Sequence, residues 1–439
     1  MGISNIIFIV LLLLAGGLFL KNLKTIIRNI KLGKDLKIND RKGERFRLMA
    51  KVALGQSKMV VKPVAGFLHI IVYAGFIIIN IEVLEIVLDG ILGHHRLFSF
   101  LGTYYHFLIS AFEFLALSVL LACAIFLFRR NVIRIKRFHS KEMTAWPKSD
   151  ANLILITEIL LMSAFLLMNA ADTQLQNLGS EHYTKVGAFP ISGWLVGFFS
   201  TASEGSLILL ERGLWWFHIV GIFAFLNYLP YSKHFHILLA FPNVYYSKLT
   251  PKGQLDNLAS VKKEVEMMFD PSADPYAAPA EPEGEPQRFG AKDVRDLTWK
   301  QLMDAYTCTE CGRCTAVCPA NMTGKKLSPR KILMDTRDRL VEVGKGIDKN
   351  GKDFTDNKSL LRDYITEEEV LACTSCNACT EACPVNNDPL SIIVDLRRYL
   401  IMEESKAPSE WTGIFTNIEN NGAPWQFAQA DRLNWKNEN

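Results

Sequence analysis

The sequence predicts an all-α fold in two parts, a membrane domain of five transmembrane helices and a smaller helical domain that contains most of the cysteines. Three features support this prediction. Nearly all long apolar runs lie within residues 1–245, eight of the nine cysteines lie in the last third of the chain, and a proline-rich stretch separates the two regions. The net charge of +4 in 439 residues is too small to suggest a nucleic-acid partner.

Five apolar runs are close to the length of about 20 residues that a transmembrane helix needs. They cover residues 4–20, 64–88, 105–128, 151–170 and 213–231. The first run has no basic segment before it and no cleavage site after it, so we expect a retained helix rather than a secretory signal. A further run near 188–210 is interrupted by Pro190, Gly193 and Gly197, which favours an interfacial or re-entrant segment.

Basic residues are distributed unevenly among the connecting loops. Residues 21–62 contain 13 Lys and Arg against three acidic residues, and residues 129–150 contain seven against two. Segments 91–105 and 171–212 contain only one and two basic residues. Because positively charged loops stay in the cytoplasm, we expect a multi-pass membrane protein with an outer amino terminus and a cytoplasmic carboxyl terminus.

The polar half of the chain divides into three predicted parts. Residues 246–288 are expected to be a linker, because 271–286 contain five prolines and no helical periodicity. Residues 289–403 form the small helical domain, in which Ser328 and Pro329 have the pattern of a helix start. Residues 404–439 form a tail that we expect to contact a partner.

The cysteines of the second domain form the pattern C-x2-C-x2-C-x3-C-P twice. The first run is Cys308, Cys311, Cys314 and Cys318, and the second is Cys373, Cys376, Cys379 and Cys383. This spacing is typical of proteins with two 4Fe-4S clusters, in which the fourth cysteine of each run binds the other cluster. We therefore expect Cys383 to complete the first cluster and Cys318 the second. The alternative is a pair of zinc sites, which C-x2-C pairs also form. The ninth cysteine, Cys123, lies in an apolar run, where a small core residue is expected.

Histidines in the apolar half suggest a second kind of cofactor. His218 and His236 are 18 residues apart, so on one continuous helix they would face the same way and be separated by about 27 Å. One helix could then ligate two b-type haems. His69, at the start of the second run, is the expected partner of His236, and His106, at the start of the third, that of His218.

Other residues near these positions are alternatives for the same sites. On a continuous helix His234 would point about 160° away from His218, which makes it a poor substitute for His236. His94 and His95 are reserve candidates in an outer loop. Lys233 would suit a haem propionate, or it could extend to the membrane surface as an ordinary lysine. Single interfacial histidines are often only hydrogen-bonded to neighbours, which is the alternative for each of these residues.

Carboxylates in the apolar runs are the remaining candidates. Glu113 lies on the same helix face as His106, and Glu82 and Glu85 lie near the outer end of the second run. A buried carboxylate in a membrane is costly, so we expect these residues to exchange protons with a quinone. The alternative is pairing with a neighbouring helix for assembly.

The apolar half resembles the cytochrome b subunits of respiratory nitrate reductase and heterodisulfide reductase. The resemblance rests on five runs with an outer amino terminus and on the segment P-Y-S-K-H-F-H from Pro230 to His236. It implies that His69, His218 and His236 ligate haem. The nitrate reductase pattern has a further histidine where this chain has Ile79, which is why His106 is considered for the outer haem.

The cysteine-rich half, over about 290–400, resembles the two-cluster subunit of heterodisulfide reductase. Its tail is similar to the segment that precedes the cysteine-rich C-C-G domains in fused bacterial relatives. The resemblance implies a separate subunit with such a domain, or a donor of the electron-transfer flavoprotein type.

Taken together, the sequence predicts a quinone-linked oxidoreductase subunit in a bacterial cytoplasmic membrane. Two 4Fe-4S clusters and one or two b haems would carry electrons between soluble partners in the cytoplasm and a menaquinone-type pool. Two other functions fit parts of the pattern, a haem-free ferredoxin on a membrane anchor and a scaffold with structural zinc.

Overall fold

The structure is a computed structural model that describes residues 2–183, 185–251, 253–270, 272 and 288–437. The described residues are mainly helical, and they contain isolated β-bridges but no β-strand. The helices of the apolar half are α1 (Ile3–Ile30), α2 (Lys42–Met49), α3 (Pro63–Leu92), α4 (Thr103–Asn131), α5 (Trp146–Leu178), α6 (Ser192–Leu195), α7 (Glu204–Tyr228) and α8 (His236–Tyr245).

Five of these helices, α1, α3, α4, α5 and α7, are long and apolar enough to cross a membrane, as the sequence predicts for the chain. The helix α5 lies at the centre and packs along both α4 and α7, while α3 packs on α4. The helix α1 contacts α3 and α7. Between α5 and α7, residues 188–199 form the short helix α6 and a 3-10 turn rather than a sixth span.

The last predicted span, 213–231, lies within a candidate span at Glu204–Tyr231, but the helix does not continue from there to His236. The helix α7 ends at Tyr228, two 3-10 turns follow at Leu229–Tyr231 and Lys233–Phe235, and α8 begins at His236. Pro230 has no N–H to donate within a helix. The hydroxyl of Ser232 accepts a hydrogen bond from the His234 N–H, which stabilises the second turn. The spacing argument for His218 and His236 therefore does not hold.

The cysteine-rich half consists of shorter helices. They are α9 (Ala259–Met268), α10 (Trp299–Thr307), α11 (Arg313–Ala316), α12 (Pro319–Met322), α13 (Pro329–Asn350), α14 (Leu360–Asp363), α15 (Glu367–Leu371), α16 (Ala378–Ala382), α17 (Pro389–Arg398) and α18 (Ser409–Asn421). The predicted helix start is confirmed, since the Ser328 hydroxyl caps α13 by accepting from the Lys331 N–H, and Pro329 is the first helical residue.

The two halves share one hydrophobic core. Ile26, Ile30 and Phe235 from the apolar half are buried together with residues of α10, α13 and α17. The helix α1 continues ten residues beyond the predicted end at 20, because its last turns pack on the second domain instead of lipid. There the Asn29 amide donates a hydrogen bond of 2.9 Å to the Tyr306 hydroxyl.

The predicted linker is only partly described. Its first part includes α9. The helix before the linker, α8, packs against the helix that follows it, α10. The proline-rich stretch 271–286 lies outside the described residues except for Ser272. We call the end of the membrane domain that meets the cysteine-rich domain the cluster face, and the opposite end the distal face.

Candidate functional site

The two cysteine runs adopt the same backbone conformation. Glu310 and Ser375, each two residues after the first cysteine of its run, have φ angles of 52° and 55°. Gly312 and Asn377, each after the second cysteine, have φ angles of 70° and 61°. These left-handed residues turn each short loop around a common centre, so that its three cysteines can bind one body.

The fourth cysteine of each run lies close to the other run. Cys383 interacts electrostatically with Cys308 and Cys311, and Cys373 interacts with Cys318. The short helices α11 and α16, which carry the third cysteines, pack against each other. The structure thus brings together the two sets of four cysteines that the crossed assignment requires.

The donor set fits iron–sulfur clusters. Backbone N–H groups donate hydrogen bonds to sulfur, from Asn387 to Cys383 over 3.2 Å and from Ser375 to Cys373 over 3.4 Å, as cluster ligands often accept them. Within the described residues no three His, Cys, Asp or Glu side chains converge on one metal ion. A cubane needs a wider arrangement, because each thiolate binds a different iron atom.

The two cysteine sets differ in their surroundings. Cys376 is exposed, so the second set lies nearest to solvent. In the first set, Cys311 lines a cavity in the membrane domain together with Pro384. Electrons that pass between solvent and this cavity would therefore meet the second set first.

The cavity has a volume of about 460 Å³ and extends from the cluster face into the helix bundle. Its walls are mainly apolar side chains of α3, α4, α5 and α7, and it contains four histidines, His69, His218, His234 and His236. Such a mainly apolar cavity with a few polar groups is typical of a cofactor or ligand site.

Two of these histidines are oriented by backbone carbonyls. Nδ1 of His236 lies 3.0 Å from the Lys233 carbonyl oxygen, and Nδ1 of His218 lies 3.0 Å from that of Leu161. If each Nδ1 donates its proton there, Nε2 is free to bind a metal, as in many histidine ligands. Nδ1 of His69 has no partner among the described residues.

His234 is a third histidine of the same group, contrary to the sequence prediction. Its ring lies 5.7 Å from that of His236, and it interacts electrostatically with His69. Burial, together with these two histidines, lowers the pKa of His234 to about 3, so its imidazole is neutral at physiological pH. The prediction failed because the break after Tyr228 changes the direction in which His234 points.

The expected pairing of His106 with His218 is not supported by the structure. His106 is exposed near the distal start of α4, whereas His218 is only 2% exposed inside the cavity. The cavity reaches Val119 on α4, which is 13 residues, or about 20 Å along the helix, from His106. The two histidines therefore lie at different depths.

Lys233 has protein partners and does not point to a free propionate site. Its ammonium group is paired with Glu310 in the first cysteine run and donates a hydrogen bond of 2.7 Å to the Pro147 carbonyl. Two other basic residues, Arg137 and Arg313, line the cavity at the cluster face. They are better placed than Lys233 to meet an acidic group of a bound cofactor.

The predicted proton-exchanging carboxylates have structural partners. Glu113 is fully buried and accepts hydrogen bonds from the backbone N–H groups of Ile191 and Ser192 and from the Asn169 amide. It thereby holds the segment that contains α6. Glu85 accepts hydrogen bonds from the Phe98 N–H and the Tyr105 hydroxyl. These contacts favour the assembly role over proton exchange.

Glu82 lies in a separate, polar cavity of about 240 Å³ near the distal face. One of its oxygens lies 3.8 Å from Arg96, and the other has no hydrogen-bond partner among the described residues. His94 and His95 also line this cavity and do not reach the four-histidine cavity.

Sequence reasoning missed Glu158, which lines the four-histidine cavity from α5. The signal was present, because Glu158 is a single carboxylate inside the fourth apolar run. Arg137 was counted only among the basic residues of a loop, and its position at the cavity could not be read from the sequence.

The fold and the two cysteine sets define a membrane protein with a two-cluster iron–sulfur domain. Residues 307–387 match the family described as the 4Fe-4S dicluster domain, and this range contains all eight cluster cysteines. No solved structure is significantly similar to the chain.

Similar proteins are iron–sulfur oxidoreductases. The chain is 28% identical to the probable iron-sulfur-binding oxidoreductase FadF of Bacillus subtilis, over 99% of the chain and 61% of that protein. It is 26% identical to the EtfAB:quinone oxidoreductase of Syntrophomonas wolfei, over 91% of the chain and 55% of that protein. It is 32% identical to a probable membrane-anchored ferredoxin of Chromohalobacter salexigens, over 34% of the chain and 24% of that protein.

Subunits of heterodisulfide reductases also match, which confirms the resemblance of this chain to heterodisulfide reductase-like proteins. The chain spans less than two thirds of the length of the first two relatives.

Proposed function

We propose that this chain is a membrane-bound electron-transfer subunit that connects a soluble redox partner to the quinone pool through two 4Fe-4S clusters and a b haem. The observation that carries the proposal is that one cysteine set reaches solvent and the other borders the histidine cavity. Cys376 is exposed at one end, and Cys311 lines the cavity that contains the four histidines.

The cluster ligands are proposed to cross between the two runs. Cys308, Cys311 and Cys314 bind the first cluster with Cys383, and Cys373, Cys376 and Cys379 bind the second with Cys318. The proximity of Cys383 to Cys308 supports this assignment. When bound, such clusters supply one-electron redox steps, and the protein determines their spacing and potential.

One haem is proposed at the cluster end of the cavity. His69 would bind one face, and His236 or His234 the other, while Arg137 and Arg313 would meet the propionates. The support is the group of three half-buried histidines beside two basic residues. A second, outer haem is not retained, because His218 has no histidine opposite it at its depth among the described residues.

The partner and the orientation follow from sequence and similarity. The basic loops favour a cytoplasmic cluster domain in a bacterial inner membrane. The name of the Syntrophomonas relative supports an electron-transfer flavoprotein as the soluble donor and a quinone as the acceptor. That the quinone is of the menaquinone type stays a prediction from the sequence. A subunit with a C-C-G domain is the other proposed partner, since heterodisulfide reductase subunits are among the relatives.

The second candidate function is a haem-free ferredoxin on a membrane anchor, which the Chromohalobacter relative favours. The reduced-minus-oxidised visible spectrum of the purified protein separates the two functions. We expect b-type bands, together with about eight iron atoms outside haem per chain from two cubanes. Clusters without b-type bands would support the anchored ferredoxin, and protein that retains zinc instead of iron would overturn both.

A further inference from the structure

The four-histidine cavity continues to a pair of polar residues half-way across the membrane domain. Glu158 on α5 and Tyr73 on α3 line this middle part of the cavity together with His218, and the cavity extends further along α3, to Asn80 and Val83. Counted from the cluster face, Tyr73 and His218 lie ten residues, or about 15 Å, along their helices, and Glu158 lies about 18 Å along its own. This depth is near the middle of a hydrocarbon core of about 30 Å.

Within the described residues, the protein does not engage the side-chain oxygens of Tyr73 and Glu158. The Tyr73 hydroxyl is buried without a hydrogen-bond partner. In the described part of the chain, no residue donates a hydrogen bond to Glu158 or forms an ion pair with it. Glu113, by comparison, accepts three hydrogen bonds in the same bundle. Because an unpaired carboxylate at this depth is costly, Glu158 has the properties expected of a functional residue.

The surroundings define the chemistry of a ligand. Apolar side chains such as Val72, Ile79 and Val119 form most of the walls, so a flat apolar molecule fits better than a charged one. Phe76 and Ile77 on α3, which line the cavity, are 44% and 47% exposed on the surface that faces lipid. A ligand can therefore reach this part of the cavity from the bilayer.

We propose that this middle part of the cavity binds the headgroup of a membrane quinone, and that Glu158 exchanges protons with it. The inference rests on the quinone link in the proposed function and assigns its site. Tyr73 donates a hydrogen bond to one quinone oxygen, and Nε2 of His218, whose Nδ1 is engaged by Leu161, is available to accept from a hydroquinone hydroxyl.

The reaction balances with groups already named. Reduction of the quinone takes two electrons, which come from the reduced soluble partner, and two protons, which form the two O–H bonds of the hydroquinone. The carboxylic acid of Glu158 gives a proton to a quinone oxygen, becomes a carboxylate and regains a proton from water before the second transfer. In the reverse direction the carboxylate accepts the same protons.

The test uses the full-length protein in detergent, reduced with dithionite and then freed from excess reductant. Reoxidation of the clusters is followed by visible absorbance after mixing with menadione, a naphthoquinone without a tail, or with ferricyanide. We expect Glu158→Gln to slow reoxidation by menadione about 100-fold, the lower range for loss of a general acid, and to leave reoxidation by ferricyanide unchanged. Tyr73→Phe should weaken menadione binding about 5-fold, as expected for one hydrogen bond.

Controls separate the site from the fold and from the quinone link. Glu158→Asp should recover part of the menadione rate, and Ser118→Ala, which removes a lipid-facing hydroxyl on α4, should match the wild type. Menadione rates and binding in Glu158→Gln equal to those of the wild type would overturn the site. A wild type that reacts with ferricyanide but not with menadione would instead overturn the quinone link itself.

Discussion

The ion pair between Lys233 and Glu310 joins the membrane domain to the first cysteine run, and its removal gives a quantitative prediction. Glu310 is 3% exposed and binds both Lys233 and Arg337, the latter over 2.8 Å. Burial alone would raise the pKa of Glu310, but Arg337 and Lys233 outweigh it and hold this pKa below its usual value. The carboxylate is therefore charged in the folded protein at neutral pH.

The expected loss in the free energy of unfolding depends on which charged groups each substitution leaves unpaired. Removing one partner of a buried ion pair typically costs about 3–5 kcal/mol. Glu310→Gln leaves two cations, but Lys233 keeps the Pro147 carbonyl and Arg337 keeps Asp338 at 3.2 Å, so we expect about 3 kcal/mol, at the lower end of that range. Lys233→Met leaves Glu310 paired with Arg337, and we expect about 2 kcal/mol.

The double variant measures the direct interaction between Lys233 and Glu310, apart from the contacts that each makes with other residues. If the two residues interact directly, Lys233→Met with Glu310→Gln should cost about 3 kcal/mol rather than the sum of about 5, a coupling within the usual range for contacting residues. Thermal unfolding in detergent, followed by far-ultraviolet circular dichroism, measures the three variants against the wild type. Additive effects, or no effect of Glu310→Gln, would refute the inferred interaction.

The same pair predicts a flat pH dependence over the neutral range. The folded pKa of Glu310 is depressed, so its stabilisation is fully present above the unfolded value of about 4.3 and is lost as pH falls through the folded value. The difference in unfolding temperature between wild type and Glu310→Gln should therefore stay constant from about pH 8 to about pH 5. A difference that changes within this range would show that another group titrates with the interface.

Three further predictions concern the cofactors and the orientation. Cys383→Ser should remove the paramagnetic signal of the cluster bound by the first run, although Cys383 belongs to the second, and loss confined to the second cluster would contradict the crossed assignment. His69→Ala should abolish the b-type bands and His106→Ala should retain them, and a loss of haem in His106→Ala would restore the outer site. A reporter fused at residue 280 should be cytoplasmic, and an outer location would reverse the topology.

Much of the architecture could be predicted, because transmembrane helices, cluster motifs and helix caps depend on hydropathy or on residues that are close together in the sequence. Long apolar runs identify helices that a bilayer requires, and all five were found. The spacing of eight cysteines within short loops indicates two clusters without any knowledge of the fold. Ser328 and Pro329 marked the start of α13, because helix capping involves only a few consecutive residues.

Some errors came from an assumption that the sequence could have corrected. Pro230 lies between His218 and His236, and a proline inside a helix removes a hydrogen bond and often ends it. Because the helix breaks there, the angle of about 160° expected on a continuous helix does not apply to His234. The structure then places His234 in the cavity beside His236.

The sequence by itself determined the number of spans, the two cysteine runs and the start of α13, because each depends on hydropathy or on neighbouring residues. Only the tertiary structure decided which polar side chains face one another. Lys233 meets Glu310 across 77 positions of sequence, and Glu158 faces the histidine cavity while Glu113 is held by backbone N–H groups. Hydropathy reports how apolar a helix is, but the direction in which each carboxylate points depends on the packing of the whole bundle.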